Sequence, residues 1–111
     1  MATLALNKFQ TVTHDITTGD TTVYTAPTGY TGIVLYAHVT NVTTSAVTFT
    51  MSHIRSSTTT EIIKDASVPP NDAYIPLEGK LVLETSDSIK IQASANSSLK
   101  LILSVLETAN A

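Results

Sequence analysis

Apolar and polar residues alternate along most of the chain, in short runs that end at glycine, proline, asparagine or serine. A period of two residues is the pattern of a β-strand with one buried face, and no segment keeps the period of an amphipathic helix over a useful length. The pattern predicts strands at residues 21–25, 31–40, 46–51, 60–66, 73–76, 81–84, 88–95 and 99–106. Short, regularly spaced strands predict an all-β chain, and we expect an antiparallel β-sandwich of eight or nine strands with jelly-roll-like connectivity.

Several predicted strands divide clearly into a core face and an outer face. The alternation assigns to the core Ile89, Ile91 and Ala93 of one strand and Leu99, Leu101, Leu103 and Val105 of the last. In residues 31–40 it assigns Ile33, Leu35, Ala37 and Val39 to the core, and Val34, Tyr36 and His38 to the outer face. Residues 31–40 and 46–51 are separated by a polar loop of about five residues, and we expect them to form a β-hairpin.

The chain of 111 residues fits a single domain. Residues 1–20 are predicted to be an N-terminal arm or an edge strand, residues 21–107 the β-sandwich, and residues 108–111 a C-terminal tail. The arm carries Leu4, Leu6 and Val12 among polar residues, so it either pairs at the edge of its own sheet or reaches a neighbouring subunit.

The polar positions are filled mainly by hydroxyl groups rather than by charges. The chain has 20 threonines and 11 serines, whereas only 14% of its residues are charged. Threonine suits the solvent face of a strand because its branched side chain packs well on a pleated surface. A weakly charged surface is also less costly to desolvate against another protein. The composition therefore fits an assembly partner, and it fits a plain β-surface equally well.

Charge and cysteine content narrow the classes of partner. The net charge of −3 and the pI of about 5.4 argue against nucleic acid, which requires a cationic surface. The absence of cysteine excludes disulfides and thiolate metal sites. No apolar run approaches the ~20 residues of a membrane span, so no membrane partner is expected. The first residues also lack the pattern of a signal peptide.

No arrangement of residues predicts catalysis. His14, His38 and His53 do not converge in the predicted strands, and neither of the latter two has a carboxylate at ligand spacing. Glu84 and Asp87 flank one turn, where weak cation binding is an alternative to simple capping. The chain lacks a nucleophile elbow, a phosphate-binding loop and a dinucleotide fingerprint. We therefore predict a protein that is not an enzyme, with no catalytic residue, no metal and no cofactor.

Apolar and aromatic residues outside the predicted core are the candidate contact residues. Tryptophan is absent and aromatic residues make up only 5% of the chain, which argues against a sugar-binding platform. Tyrosine offers a partner both contact area and a hydroxyl group, although Tyr30 and Tyr36 could equally fill a sheet edge. The predicted interface residues are Leu4, Leu6, Phe9, Tyr30, Tyr36 and Leu106.

Several segments resemble a pattern found in small virion proteins of tailed bacteriophages. They are Val23-Tyr24-Thr25-Ala26-Pro27-Thr28-Gly29-Tyr30-Thr31 followed by Ile33-Val34-Leu35 and Asn41, then Val68-Pro69-Pro70-Asn71-Asp72, Gly79-Lys80-Leu81-Val82-Leu83-Glu84, Asp87-Ser88-Ile89-Lys90 and Leu103-Ser104-Val105-Leu106-Glu107. The likeness covers residues 23–107 and leaves the arm unmatched. It implies a compact, oligomeric sandwich displayed on the particle, and it transfers no catalytic residue to this chain.

The resemblance implies a structural role in a virion, reached after assembly in the host cytoplasm. The leading hypothesis is a capsid decoration or cement protein that stabilises the shell through protein–protein contacts. The implied partners are other copies of the chain, with a trimer favoured, and virion proteins such as the major capsid protein. Two alternatives stay open: a neck, collar or tail component of the same particle, and a carbohydrate- or receptor-binding module.

Overall fold

The computed structural model describes residues 7–110, whose regular structure consists entirely of β-strands. The strands are β1 (Asn7–Ile16), β2 (Thr21–Thr25), β3 (Tyr30–Asn41), β4 (Val47–Arg55), β5 (Thr58–Val68), β6 (Ala73–Tyr74), β7 (Leu81–Leu83), β8 (Ser88–Ala93) and β9 (Leu99–Ala109). They form two antiparallel sheets around one core, which confirms the predicted all-β sandwich. Residues 7–110 contain no helix long and apolar enough to cross a bilayer.

The strand order is that of a jelly roll. The first sheet has the order β1-β9-β3-β6, with β7 also pairing with β3, and the second sheet has the order β2-β8-β4-β5. When β6 and β7 are taken as one interrupted strand, the first strand pairs with the eighth, the second with the seventh, the third with the sixth and the fourth with the fifth. This nested antiparallel pairing is the double Greek key of jelly rolls. The predicted connectivity is therefore confirmed.

The core lies between the inner faces of the two sheets. The predicted core residues of β8 and β9 are all buried, which confirms the alternation in both strands. Phe49 and Met51 of β4, in the same sheet as β8, and Ile16, the last residue of β1, are also buried in this core. Phe49 also packs edge-on against Tyr74, with ring centroids 5.6 Å apart. The two sheets are thus held together mainly by aliphatic packing.

The predicted faces of β3 are wrong in its first half. Val34 is fully buried although it was assigned to the outer face, whereas Leu35 is exposed although it was assigned to the core. The cause is a β-bulge: Val34 pairs with Val105 and Tyr36 with Ser104, so Leu35 is an extra residue on β3. A bulge shifts the alternation by one residue, which also turns Ile33 outward.

The predicted hairpin of residues 31–40 and 46–51 is wrong, because β3 and β4 belong to different sheets. The buried Asn41 side chain holds the link between them. Its Nδ2 donates to the backbone oxygens of Ser45 (2.8 Å) and Val68 (3.0 Å), and its Oδ1 accepts from the backbone nitrogen of Thr43 (2.9 Å). These bonds fix a crossing turn rather than a hairpin loop.

A tight hairpin joins β4 to β5. Arg55 pairs with Thr58, and the two residues between them, Ser56 and Ser57, have φ values of 48° and 66°. Positive φ at both central residues is the signature of a type I′ turn, whose twist matches that of the flanking strands. Serine adopts this conformation less readily than glycine or asparagine, so the sequence carries no strong signal for this turn.

Candidate functional site

An apolar row crosses the outer face of the first sheet from one edge to the other. Phe9 of β1 pairs with Leu106 of β9, Leu106 pairs with Ile33 of β3, and Ile33 pairs with Val82 of β7. Residues paired directly across antiparallel strands lie on the same face, so the four side chains form one continuous line. Phe9 and Val82, at the two ends, are 73% and 53% exposed.

More apolar surface lies beside this row. Leu35 and Tyr36 are exposed at the bulge of β3, and Ile102 is exposed on β9. The ring of Tyr36 stacks on that of His38, with centroids 5.9 Å apart and planes 15° apart. We call the set formed by Phe9, Ile33, Leu35, Tyr36, Val82, Ile102 and Leu106 the outer apolar face. The bulge enlarges it, because it turns Ile33 and Leu35 away from the core.

The outer apolar face carries almost no charge. Among the outward residues of β1, β9, β3 and β7, the formal charges are those of Asp15 and Lys100. These two residues form an ion pair of 2.9 Å at one end of the sheet, so they cancel. The outer face of the second sheet instead presents hydroxyl, amide and ammonium groups, including Thr22, Thr50, Lys90 and Gln92. The first sheet is therefore the face that is easier to desolvate.

The structure brings together three of the predicted interface residues. Phe9, Tyr36 and Leu106 all belong to the outer apolar face. Tyr30 is half-buried at the start of β3, where it shares the alternation of the inward-facing Gly32 and Val34. Leu4 and Leu6 lie outside the described residues. The contact role of all six stays a prediction.

Two polar clusters were not predicted from the sequence. In the first, Tyr24 of β2 donates a hydrogen bond of 2.6 Å to Oε2 of Glu107 on β9, and Gln10 Nε2 donates one of 2.8 Å to the same oxygen. Tyr24 and Glu107 are both buried, so the bond joins the two sheets inside the sandwich. Burial, followed by the bond to Glu107, raises the pKa of Tyr24 well above its usual range. The phenol therefore stays a neutral donor.

The second cluster surrounds Asp87, between β7 and β8. Its buried carboxylate accepts from Nη2 of Arg55 (2.6 Å), from Nε2 of His53 (3.1 Å) and from the backbone nitrogen of Glu84 (2.9 Å). The Arg55 guanidinium also contacts Oε2 of Glu84 at 2.8 Å. The guanidinium of Arg55 therefore occupies the place that a weakly bound cation would take at the turn formed by Glu84 and Asp87. This arrangement fastens β4 to the turn before β8.

These clusters are structural in character. The three histidines lie apart: His14 is on β1, His38 stacks on Tyr36, and His53 contacts Asp87. In the described part of the chain, no group of three or more histidine, cysteine, aspartate or glutamate side chains is close enough to hold a metal ion. The surface hollow lined by His53, Arg55 and Thr60 brings no hydroxyl into a bond with His53. The outer apolar face is therefore the candidate functional site.

Acid should weaken the fold through Asp87. Hydrogen bonds from Arg55 hold the pKa of Asp87 well below its usual range, against the opposing effect of burial. Its stabilising contribution is complete above the ordinary aspartate pKa of about 3.9 and is lost as the pH falls below it. We expect the difference in free energy of unfolding between wild type and Asp87→Asn to be constant above about pH 5 and to shrink toward pH 2. Urea denaturation across this range measures it, and a difference that does not change with pH contradicts the assignment.

Comparison with known proteins finds similarity of structure and not of sequence. No protein-family model and no curated protein matches the chain. A chain from the disulfide-linked pili of Bacillus endospore appendages superposes with a TM-score of 0.55 and 10% identity, over 100% of this chain and 98% of that chain. A chain in the structure of infectious bursal disease virus, Gx strain, gives a TM-score of 0.51 and 11% identity, over 95% of this chain but 37% of that chain. At these identities the likeness concerns the fold alone.

Proposed function

We propose that this chain is a non-enzymatic structural protein that binds other protein through the outer apolar face. The row formed by Phe9, Leu106, Ile33 and Val82 is the observation that carries the proposal. An apolar line that spans a whole sheet is unusual on the solvent side of a soluble domain, and contiguous patches of this kind mark interaction sites. Its low charge keeps the desolvation cost of docking small.

The size of the sheet is adequate for a specific contact. Four strands spaced ~4.8 Å apart and ten residues rising ~3.3 Å each give a face of about 600 Å². A partner that covers it would bury about 1,200 Å² in total, at the lower end of the range for stable interfaces. The contact would gain strength from repetition if many copies bind one large assembly.

The specific assembly that we propose is the virion of a tailed bacteriophage, with the chain as a capsid decoration protein. The resemblance of residues 23–107 to small virion proteins supports this placement. The two structural neighbours, one from pili and one from a virus, are consistent with a fold that serves in protein assemblies. The pili are disulfide-linked, whereas this chain has no cysteine, so its own contacts would be non-covalent.

Copy number in purified particles tests this placement. We expect quantitative mass spectrometry of tailed-phage particles from the source of this chain to find it in hundreds of copies, in a fixed ratio to the major capsid protein. A few dozen copies or fewer would place it at the neck or tail instead. Its absence from such particles would refute the virion proposal.

A lysine in the outer apolar face should weaken docking strongly without unfolding the sandwich. Ile102 lies on the central strand β9 and is 42% exposed, so Ile102→Lys buries a charge only when a partner covers it. We expect it to weaken binding to particles assembled without the chain by at least about tenfold. Thr22→Lys, on the outer face of the second sheet, is the matched control and should bind as wild type does. Equal binding by the two variants would contradict the assigned face, provided that both unfold at the wild-type urea midpoint.

A further inference from the structure

A protruding side chain and an open hollow occupy opposite edges of the sandwich. Phe9 lies on β1, the outermost strand of the first sheet at one edge. The other edge is formed by β5, β6 and the segment that leads to β7. Phe9 is the most exposed of the large apolar side chains in the described part of the chain.

The hollow at the opposite edge is open, and most of the side chains that line it are apolar, although polar atoms are exposed on its surface as well. Its walls come from β5 and from the segment between β6 and β7, and its volume is about 420 Å³. This volume is within the range of clefts that hold small molecules, so it has room for an aromatic side chain and its neighbours. The lining residues that matter most here are Ile62, Ile63, Ile75, Pro76 and Leu77. Ile75 is 56% exposed at the mouth.

A cation lies beside Phe9, and an anion lies at the rim of the hollow together with a second cation. Lys8 precedes Phe9 and is exposed, while Glu78 is exposed at the rim of the hollow together with Lys80. Within residues 7–110, neither Lys8 nor Glu78 forms an ion pair. An approach of one edge to the other could therefore bring a free cation to a free anion at the border of an apolar contact.

We propose that Phe9 of one copy inserts into the hollow formed by Ile62, Ile63, Ile75, Pro76 and Leu77 of a second copy, with Lys8 facing Glu78. Each copy then offers one protruding side chain and one hollow at opposite edges, which makes the contact heterologous. Such contacts close into a ring or continue as a row. The inference deepens the proposed function by naming its lateral partner, and it leaves the remainder of the outer apolar face free for a different protein.

Complementation between two defective variants tests the contact on the purified full-length chain. We expect sedimentation velocity of the wild type to show concentration-dependent species larger than a dimer. Phe9→Ala, which removes the inserted ring, and Ile75→Arg, which blocks the hollow, should each raise the apparent dissociation constant by at least about tenfold. Val42→Ala, at an exposed valine on the loop after β3, is the control and should self-associate as the wild type does.

Mixing the two variants gives the decisive result. The Phe9→Ala chain keeps an intact hollow, and the Ile75→Arg chain keeps an intact Phe9. Their mixture should therefore form a one-to-one dimer and stop there, because the remaining edges are both defective. A failure of the mixture to pair, or wild-type oligomers that survive both substitutions, would overturn the contact. A wild-type chain that stays monomeric up to about 100 µM would overturn it as well.

A charge exchange provides an independent measurement. Lys8→Glu and Glu78→Lys should each weaken self-association, and the double variant should recover most of the wild-type affinity. If the double variant is as weak as the sum of the single effects, Lys8 does not face Glu78 and the proposed orientation is wrong. These experiments use the chain alone, whereas the proposed docking function is measured with particles and Ile102→Lys, so the two proposals can fail separately.

Discussion

Replacing Gly32 with alanine is expected to lower the free energy of unfolding by about 2–4 kcal/mol. Gly32 faces the core from β3, and a Cβ added there would lie 2.9 Å from Oη and 3.0 Å from Cε2 of Tyr24. The ring of Tyr24 cannot move away freely, because its hydroxyl is bonded to the buried Glu107. The substitution therefore either compresses the ring or breaks the bond that joins the two sheets.

Urea denaturation of Gly32→Ala and Gly79→Ala provides the matched comparison. An added Cβ at Gly79 meets nothing within 4 Å, so this variant should be as stable as wild type or up to about 1 kcal/mol more stable. Combining Gly32→Ala with Tyr24→Leu removes the ring and should cost less than the sum of the two single substitutions. If Gly32→Ala were tolerated as well as Gly79→Ala, the close approach of β3 to Tyr24 would not constrain the fold.

The substitution Asp87→Ala should have a comparable effect, lowering the free energy of unfolding by about 2–4 kcal/mol. It removes the acceptor shared by Arg55, His53 and the backbone nitrogen of Glu84. In the variant, the half-exposed Arg55 can form hydrogen bonds with water instead. The Glu84 nitrogen and the His53 ring, however, lose their hydrogen-bond partner at a site with little access to solvent. The turn before β8 should loosen as a result.

Asp15→Ala is the control for this prediction, because it removes a carboxylate of the same kind from an exposed ion pair. Asp15 and Lys100 are 2.9 Å apart, with side chains that are 73% and 44% exposed. Exposed pairs of this kind contribute about 0–1 kcal/mol. Hydrogen exchange of residues 84–88 adds a local measurement, since only Asp87→Ala should accelerate it. Equal losses of stability in the two variants would show that burial of Asp87 is unimportant.

The fold class, a jelly-roll-like sandwich, and the core of the regular strands could be predicted from the sequence, whereas the order of the strands could not. β8 and β9 obey strict alternation because both strands lie inside their sheets and have no extra residue. β3 does not, because a run of apolar residues from Ile33 to Tyr36 contains no residue that marks the bulge. Where both faces of a strand carry apolar side chains, periodicity alone cannot locate a shift of phase.

The link between β3 and β4 shows a second limit. A short polar loop between two alternating segments favours a hairpin on local grounds. In the structure, Asn41 fixes the crossing to the other sheet, because its amide donates a hydrogen bond to the backbone oxygen of Val68, at the end of the later strand β5. The local pattern of polar and apolar residues does not identify a hydrogen-bond partner 27 residues away, so the crossing to the other sheet could not be inferred from it.

The same reasoning separates the predicted from the unpredicted parts of the candidate site. Phe9, Tyr36 and Leu106 were identifiable because each is a large apolar or aromatic residue at a position outside the predicted core. Their placement on one face depends on strand order and register, which the sequence pattern does not provide. The Tyr24–Glu107 bond depends on the same information, since 83 residues separate its partners. The sequence offered one signal for this bond: Glu107 occupies an inward position of β9, where the other inward residues are apolar.

During synthesis, β1 is the first of the described strands to leave the ribosome, and its partner β9 is the last. Asn7–Ile16 pairs with residues 99–108, and β3 pairs with the same late strand. The chain must lose the entropy of closing this long loop before the pairing of β1 with β9 can offset it, so folding is slow. The first sheet is therefore completed only after β9 has left the ribosome. A chain cut short before Leu99 lacks the strand that connects β1 to the rest of its sheet.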